Sequence, residues 1–320
     1  MPQRGIGEIV ALKWLGVLLV LVAGLTALAL VLRDFRGPAP ATPTPAGQLV
    51  IPLAEETGNP LAGQQVVANP AFDGVVICLD AAHGGVDRGY KRMGDAIAPA
   101  MDEALYTAAY TRELAGQLTA MGFTVVTTRD GDTVQNAQFQ DVNRDGKTRE
   151  NGSSDAEAAQ NALMDEMQAR IEFCNDENAD LLISIHFDGS SQAEESGFTT
   201  WYATGRGDSA ESQRLAELII DELDADLAAG GFVTTNNGAK PDTVAATHGS
   251  QMVYDSLFMI VGSRAGMKDS SRMPGVVADL LTISNGTDAQ ILASETGRST
   301  IVQAMAEAIG RYFTETAALG

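Results

Sequence analysis

The sequence predicts an α/β fold: a mainly parallel, twisted sheet flanked by helices, forming one globular domain after an N-terminal membrane anchor. Three observations predict it. Short apolar runs of strand length recur along the chain. Stretches of helical length separate most of them. Glycine or a polar turn punctuates the boundaries, as where Gly122 directly precedes the run beginning at Phe123.

Taken in order, residues 1–13 are a short tail. Trp14–Leu32 (WLGVLLVLVAGLTALALVL) carries no charge and nearly spans a hydrocarbon core of about 30 Å. No clean small-x-small cleavage site follows, so it reads as an uncleaved transmembrane anchor with the bulk of the chain outside the cytoplasm. Residues 33–73 include GPAPATPTPAG and read as an extended Pro-rich tether. The globular domain is expected over 74–320. Val75–Leu79, Phe123–Thr127, Leu181–Ile185 and Val276–Leu280 read as buried parallel strands, with Phe198–Tyr202 as a fifth. Helices are expected over 104–121, where Ala104, Ala108, Thr111, Leu114, Ala115 and Leu118 form a stripe, and near 158–177, 209–228 and 299–317. An acidic insertion occupies the region around 131–160.

The formal charge of −21 excludes the basic face that a nucleic-acid partner requires. The two cysteines, Cys78 and Cys174, sit among apolar residues and read as small buried hydrophobes. A disulfide between them stays open for a chain outside the cytoplasm.

Only three histidines are present. His83 follows the first strand and His186 ends the run Leu181–Ile185, so both fall at the carboxyl edge of the sheet, where such folds place their chemistry. Glu103 opens the helix after His83. Two imidazoles and one carboxylate make a catalytic zinc set with a fourth position left over. The third histidine, His248, lies in a polar stretch and reads as a loop residue.

These residues resemble zinc-dependent N-acetylmuramoyl-L-alanine amidases, peptidoglycan hydrolases of the cell-separation and sporulation type. VVICLDAAHGGVDRG resembles the family's first strand and its D-x-G-H-G-G-x-D-x-G loop. DEALYTAAYTRELAGQLTAMGFTVVTTRD resembles its metal-Glu helix followed by G-x-x-V-x-x-T-R. RIEFCNDENADLLISIHFDG and MPGVVADLLTISNGTDAQIL resemble two further segments, in order. The resemblance covers about residues 74–317. It implies that His83, Glu103 and His186 bind Zn2+, and that Asp279 stands where the family has its catalytic glutamate. The implied reaction is hydrolysis of the amide between N-acetylmuramic acid and the L-alanine of the stem peptide, with peptidoglycan as substrate in the cell envelope. Family members are often controlled by a regulatory protein.

The chain departs from the pattern. Asp279 is one carbon shorter than glutamate, which leaves a second reading: a weak or inactive amidase-like module that binds wall or regulates other hydrolases. Ala82 replaces a glycine, Asp188 an asparagine, and Leu281-Thr282 a Gly-Phe pair. Asp188, Arg264 and Arg272 are candidates for substrate contact, the arginines through carboxylates. Finally, DVNRDGK places Asp141, Asn143 and Asp145 at the first, third and fifth positions of a calcium loop, with Gly152 at the twelfth, where an acid is usual. Ca2+ is therefore a second candidate cofactor, with Asp155 or Asp165 available to replace the missing acid.

Overall fold

The computed structural model describes residues 68–245 and 267–317. The anchor and most of the tether, Arg264 and His248 lie outside them. Among the described residues no helix is long and apolar enough to cross a membrane.

Chain order runs β1 (Val76–Ala81), β2 (Lys91–Arg92), β3 (Met101–Asp102), α1 (Glu103–Met121), β4 (Thr124–Thr127), α2 (Asp155–Asp176), β5 (Leu181–Asp188), β6 (Phe198–Tyr202), α3 (Ser209–Ala229), β7 (Asn236–Pro241), the short α4 (Asp242–Ala245), β8 (Gly275–Thr282), α5 (Gly286–Ala293) and α6 (Glu295–Ala317). Six strands form the main sheet in the order β4-β1-β5-β8-β6-β7. The first four in that order are mutually parallel. Phe198–Tyr202, expected as a parallel strand, runs antiparallel to β8, and β7 follows it in parallel. β2 and β3 form a separate antiparallel ribbon.

The central apolar runs are strands buried on both faces, whereas β4, expected as a buried strand, lies at the sheet edge with Thr124 exposed and Val125, Val126 and Thr127 half-buried. Ile77, Cys78 and Leu79 are buried in β1, as are Leu181, Leu182 and Ile183 in β5. Helix α1 buries Ala104, Thr107, Ala108, Thr111, Leu114 and Leu118. It stops at Gly122, whose φ of 109° returns the chain as a left-handed cap and lets its N–H reach Leu118 O and Thr119 O. Helix α6 packs against both α1 and α3. Helix α2 covers the sheet face that carries Cys78, Leu182 and Val277.

Two expectations need correction. The domain begins before residue 74: Asn69 caps a turn at Pro70–Phe72, and buried Phe72 stacks on Phe123 with ring centroids 4.1 Å apart. The cysteines are bonded to each other, with Cα atoms 5.7 Å apart. Their apolar surroundings are as expected. The pairing follows from tertiary structure, because α2 lays Cys174 over the face of β1 from which Cys78 points.

Period-two alternation then decides what else shares that face. Asp80 follows Cys78 by two residues on β1. Ser184 and His186 follow Leu182 on β5, and Asp279 follows Val277 on β8. The register pairs Asp80 with Ser184 and His186 with Asp279. One stripe of the sheet therefore passes from apolar to polar towards its carboxyl edge.

Candidate metal centre

Three elements bring the centre together. The loop after β1 supplies His83, the first residue of α1 supplies Glu103, and β5 supplies His186. Nε2 of His83 lies 3.0 Å from Oε1 of Glu103, and Nδ1 of His186 lies 3.6 Å from the same oxygen. The imidazole rings are 5.1 Å apart at 79°. One ligand atom from each residue falls within 4.8 Å of the others, the compactness that a single ion requires. The donor set, two nitrogens and a carboxylate oxygen, suits zinc and leaves a coordination position open.

The surroundings fix each donor. Nδ1 of His83 donates to Oδ2 of Asp87 at 2.9 Å, which orients the ring so that Nε2 faces Glu103. Glu103 accepts from Tyr90 N at 2.7 Å and from Phe187 N at 3.1 Å, so its carboxylate is held by the backbone on two sides. Gly89, at φ 61°, passes beside the trio. A Cβ there would lie 2.3 Å from Glu103 Oε2 and 2.7 Å from His83 Nε2, so only glycine fits.

Electrostatically the site seeks positive charge. Burial opposes ionisation of His83, but Glu103 and Asp87 outweigh it and raise the imidazolium pKa to about 10. Burial likewise opposes charge on Glu103, and the two histidines overcome it, holding the carboxyl well below its usual range.

The loop that carries His83 is strained and externally held. His83 itself has φ 64°, an uncommon conformation for a residue with a side chain. Buried Arg170 from α2 donates to Asp80 Oδ1 at 2.9 Å, to Ala81 O at 2.8 Å and to the carbonyl of His83 at 2.6 Å. Buried Arg129 donates to Ala81 O at 2.7 Å and to Ala82 O at 2.6 Å. Asp80 also accepts from Thr128 and Ser184 hydroxyls, each at 2.6 Å. Sequence reasoning treated Arg129 and Arg170 only as letters of a pattern. Their single arginines, each following or preceding an apolar run, gave no sign of which carbonyls they would meet.

Asp279 reaches the same edge, beside His186 on the paired strand. It is 8% exposed, and its Oδ2 accepts from Trp201 Nε1 at 2.7 Å. Burial first, and then the neighbouring Asp188 carboxylate, push its pKa well above the ordinary value against the pull of Trp201. Trp201 was missed because β6 carried the weakest strand signal. Asp188 is exposed at the end of β5, and its Oδ1 accepts from Gly189 N at 2.7 Å. Arg272 lies elsewhere. It precedes β8 and its N–H donates to Asn175 Oδ1 near the end of α2. Because β8 is parallel to β5, this is the amino edge of the sheet, opposite His83 and His186. Asp141, Asn143 and Asp145 lie in the insertion between β4 and α2.

The family model described as N-acetylmuramoyl-L-alanine amidase matches residues 77–311. The chain belongs to the N-acetylmuramoyl-L-alanine amidase family. It is 25% identical over 244 residues to the germination-specific N-acetylmuramoyl-L-alanine amidase of Bacillus subtilis (strain 168), covering 76% of this chain and 82% of that protein. Solved amidases share the fold. The CwlD amidase of Clostridioides difficile, in complex with the GerS lipoprotein, matches with a TM-score of 0.54 at 22% identity, over 75% of this chain and 98% of that one. The amidase AmiC2 of Nostoc punctiforme matches with a TM-score of 0.51 at 18% identity, over 76% and 99%. The amidase match spans His83, Glu103, His186 and Asp279 together.

Proposed function

We propose that the protein is a cell-envelope amidase that hydrolyses the bond between the lactyl carbonyl of N-acetylmuramic acid and the L-alanine nitrogen of the stem peptide. The observation that carries this reading is the convergence of His83, Glu103 and His186 within 4.8 Å, with Asp279 paired to His186 across adjacent strands. Zinc held by those three residues supplies Lewis acidity towards the carbonyl and acidifies water.

The chain's own groups do the rest. Asp87 keeps His83 in the tautomer that presents Nε2. The backbone N–H groups of Tyr90 and Phe187 orient Glu103. Asp279, with Oδ2 taken by Trp201, has Oδ1 to accept a proton from the attacking water and return it to the departing amine. Its buried setting raises the carboxyl pKa, as suits a group that must both take and give a proton.

Residues 14–32, charge-free and apolar, are read as the membrane anchor, and 33–73 as the tether over which the domain reaches the wall. A regulatory protein partner is an extension from the Clostridioides difficile relative that was solved with a lipoprotein.

The test is the full chain, zinc-replete, incubated with purified peptidoglycan. Stem peptides with a free L-alanine amino terminus are expected by mass spectrometry, and His186→Ala is expected to lose both zinc and release. Release that persists in Asp279→Ala removes the aspartate from the mechanism. No release from a wild type with confirmed zinc, but release from Asp279→Glu, identifies a degenerate amidase module.

A further inference from the structure

The insertion before α2 carries a second constellation of ligands, made of residues other than His83, Glu103, His186 and Asp279. Asp141, Asn143 and Asp145 alternate along a tight loop. Asp145 N donates to Asp141 Oδ1 at 3.1 Å, Gly146 N to Asp141 Oδ2 at 3.0 Å, and Lys147 N to Asp145 Oδ1 at 2.8 Å. Gly146 takes φ 79° at the sixth position, the place where calcium loops turn sharply on glycine.

The observation that points to a ligand comes from outside the loop. Asp165, on α2, has no exposed surface. Its Oδ1 accepts from Val142 N at 2.8 Å and Asn143 N at 3.3 Å, so its carboxylate sits directly on the loop backbone. Its Oδ2 is buried with no hydrogen-bond partner. Asp141 and Asp145 add their negative fields to that position. A buried carboxylate oxygen without a donor, beside two more carboxylates, is destabilising unless a cation balances it or a proton neutralises it.

The twelfth position explains why the acid comes from α2. Gly152 stands there, and a Cβ on it would lie 2.5 Å from Ala158 N. The helix packs so closely on this residue that no acidic side chain fits.

We infer that Asp141, Asn143, Asp145 and the Lys147 carbonyl, completed by Asp165 from α2, form a binding site for one Ca2+ ion. Every donor in the set is an oxygen, which favours a hard cation over zinc. The acidic oxygens are less tightly gathered than the ligand atoms of His83, Glu103 and His186. Calcium accepts that looseness, because it takes six to eight oxygens at about 2.3–2.6 Å in flexible geometry, whereas magnesium demands a near-ideal octahedron. Binding ties the insertion to α2, the helix that also delivers Arg170 to the carbonyl of His83.

The experiment uses the full chain, freed of calcium with a chelator and with zinc restored. It is titrated with CaCl2 in a calorimeter and melted across the same concentrations. One Ca2+ per chain is expected, with a melting temperature that climbs with CaCl2 and responds far less to MgCl2. Asp165→Asn is expected to weaken binding at least about tenfold. Exposed Asp145→Asn, which keeps its loop hydrogen bond, is expected to do the same and decides the matter if Asp165→Asn does not fold. Absence of heat and of any melting shift up to about 10 mM CaCl2, above the weakest usual range for such modules, overturns the site. So does wild-type titration in both variants, and an equal response to MgCl2 overturns its assignment to calcium.

Discussion

The indole Nε1 of Trp201 donates a 2.7 Å hydrogen bond to Oδ2 of Asp279, tying the carboxylate on β8 to the antiparallel strand beside it. The bond fixes one oxygen of the carboxylate that the proposed mechanism uses as its base. On the proposed mechanism Trp201 is a positioning residue. A hydrogen bond to a charged group is worth about 1.5–3 kcal/mol. Trp201→Phe is expected to lower kcat about tenfold or more with KM little changed. Zinc content, measured in the same preparation, is expected to stay at the wild-type level, which separates the effect from loss of the metal centre.

Asp87 acts through His83. Its carboxylate accepts the Nδ1–H hydrogen bond at 2.9 Å and so, on the proposed mechanism, presents the opposite nitrogen to the metal. Asp87→Ala is expected to weaken zinc binding about 10–100-fold, read by competition with a chromogenic chelator. Unchanged zinc affinity in a folded variant would assign Asp87 to the loop alone.

Asp80 and Arg170 form a buried pair at 2.9 Å. Burial works against the Asp80 charge, but Arg170 and the Ser184 and Thr128 hydroxyls outweigh it and hold the carboxyl below its ordinary range. The depressed value means that the stabilisation is fully present above the unfolded-chain pKa of about 3.9 and is lost as pH falls from there through the folded value. Acid unfolding of the wild type is expected to steepen in that window. Asp80→Asn is expected to cost about 1.5–3 kcal/mol at neutral pH, because Arg170 keeps its second carboxylate partner, Glu166, at 2.7 Å, and to flatten the acid limb in denaturant melts.

The sequence was most legible where information is local. Leu181–Ile185 and Val276–Leu280 are apolar on both faces, and each became a central strand. His83, Glu103 and His186 could be placed because each sits at the boundary of a recognisable element. β7 left no such trace: Asn236–Pro241 (NNGAKP) is an edge strand with no fully buried residue, held by backbone pairing to β6 rather than by an apolar pattern. The direction of β6 was hidden for the same reason, since an apolar run does not state which way it crosses its neighbour. Arg272 misled because closeness in sequence to β8 says nothing about which edge of the sheet it serves. The Cys78–Cys174 bond and the seat of Asp165 on Val142 and Asn143 are long-range contacts, and only the packing of α2 produces them.

The bond between Cys78 and Cys174 closes the intervening chain into a ring. His83, Glu103, Arg129, the Asp141–Asp145 loop, Asp165 and Arg170 all lie on that ring, while His186 and Asp279 belong to the linear chain beyond it. The exposed stretch from Arg144 to Lys147 is therefore a place where a protease can cut without releasing anything. A single nick there opens the ring, and the two fragments stay joined through the sulfurs. The nicked protein migrates as an intact chain until it is reduced, and only until then are His83 and His186 covalently connected.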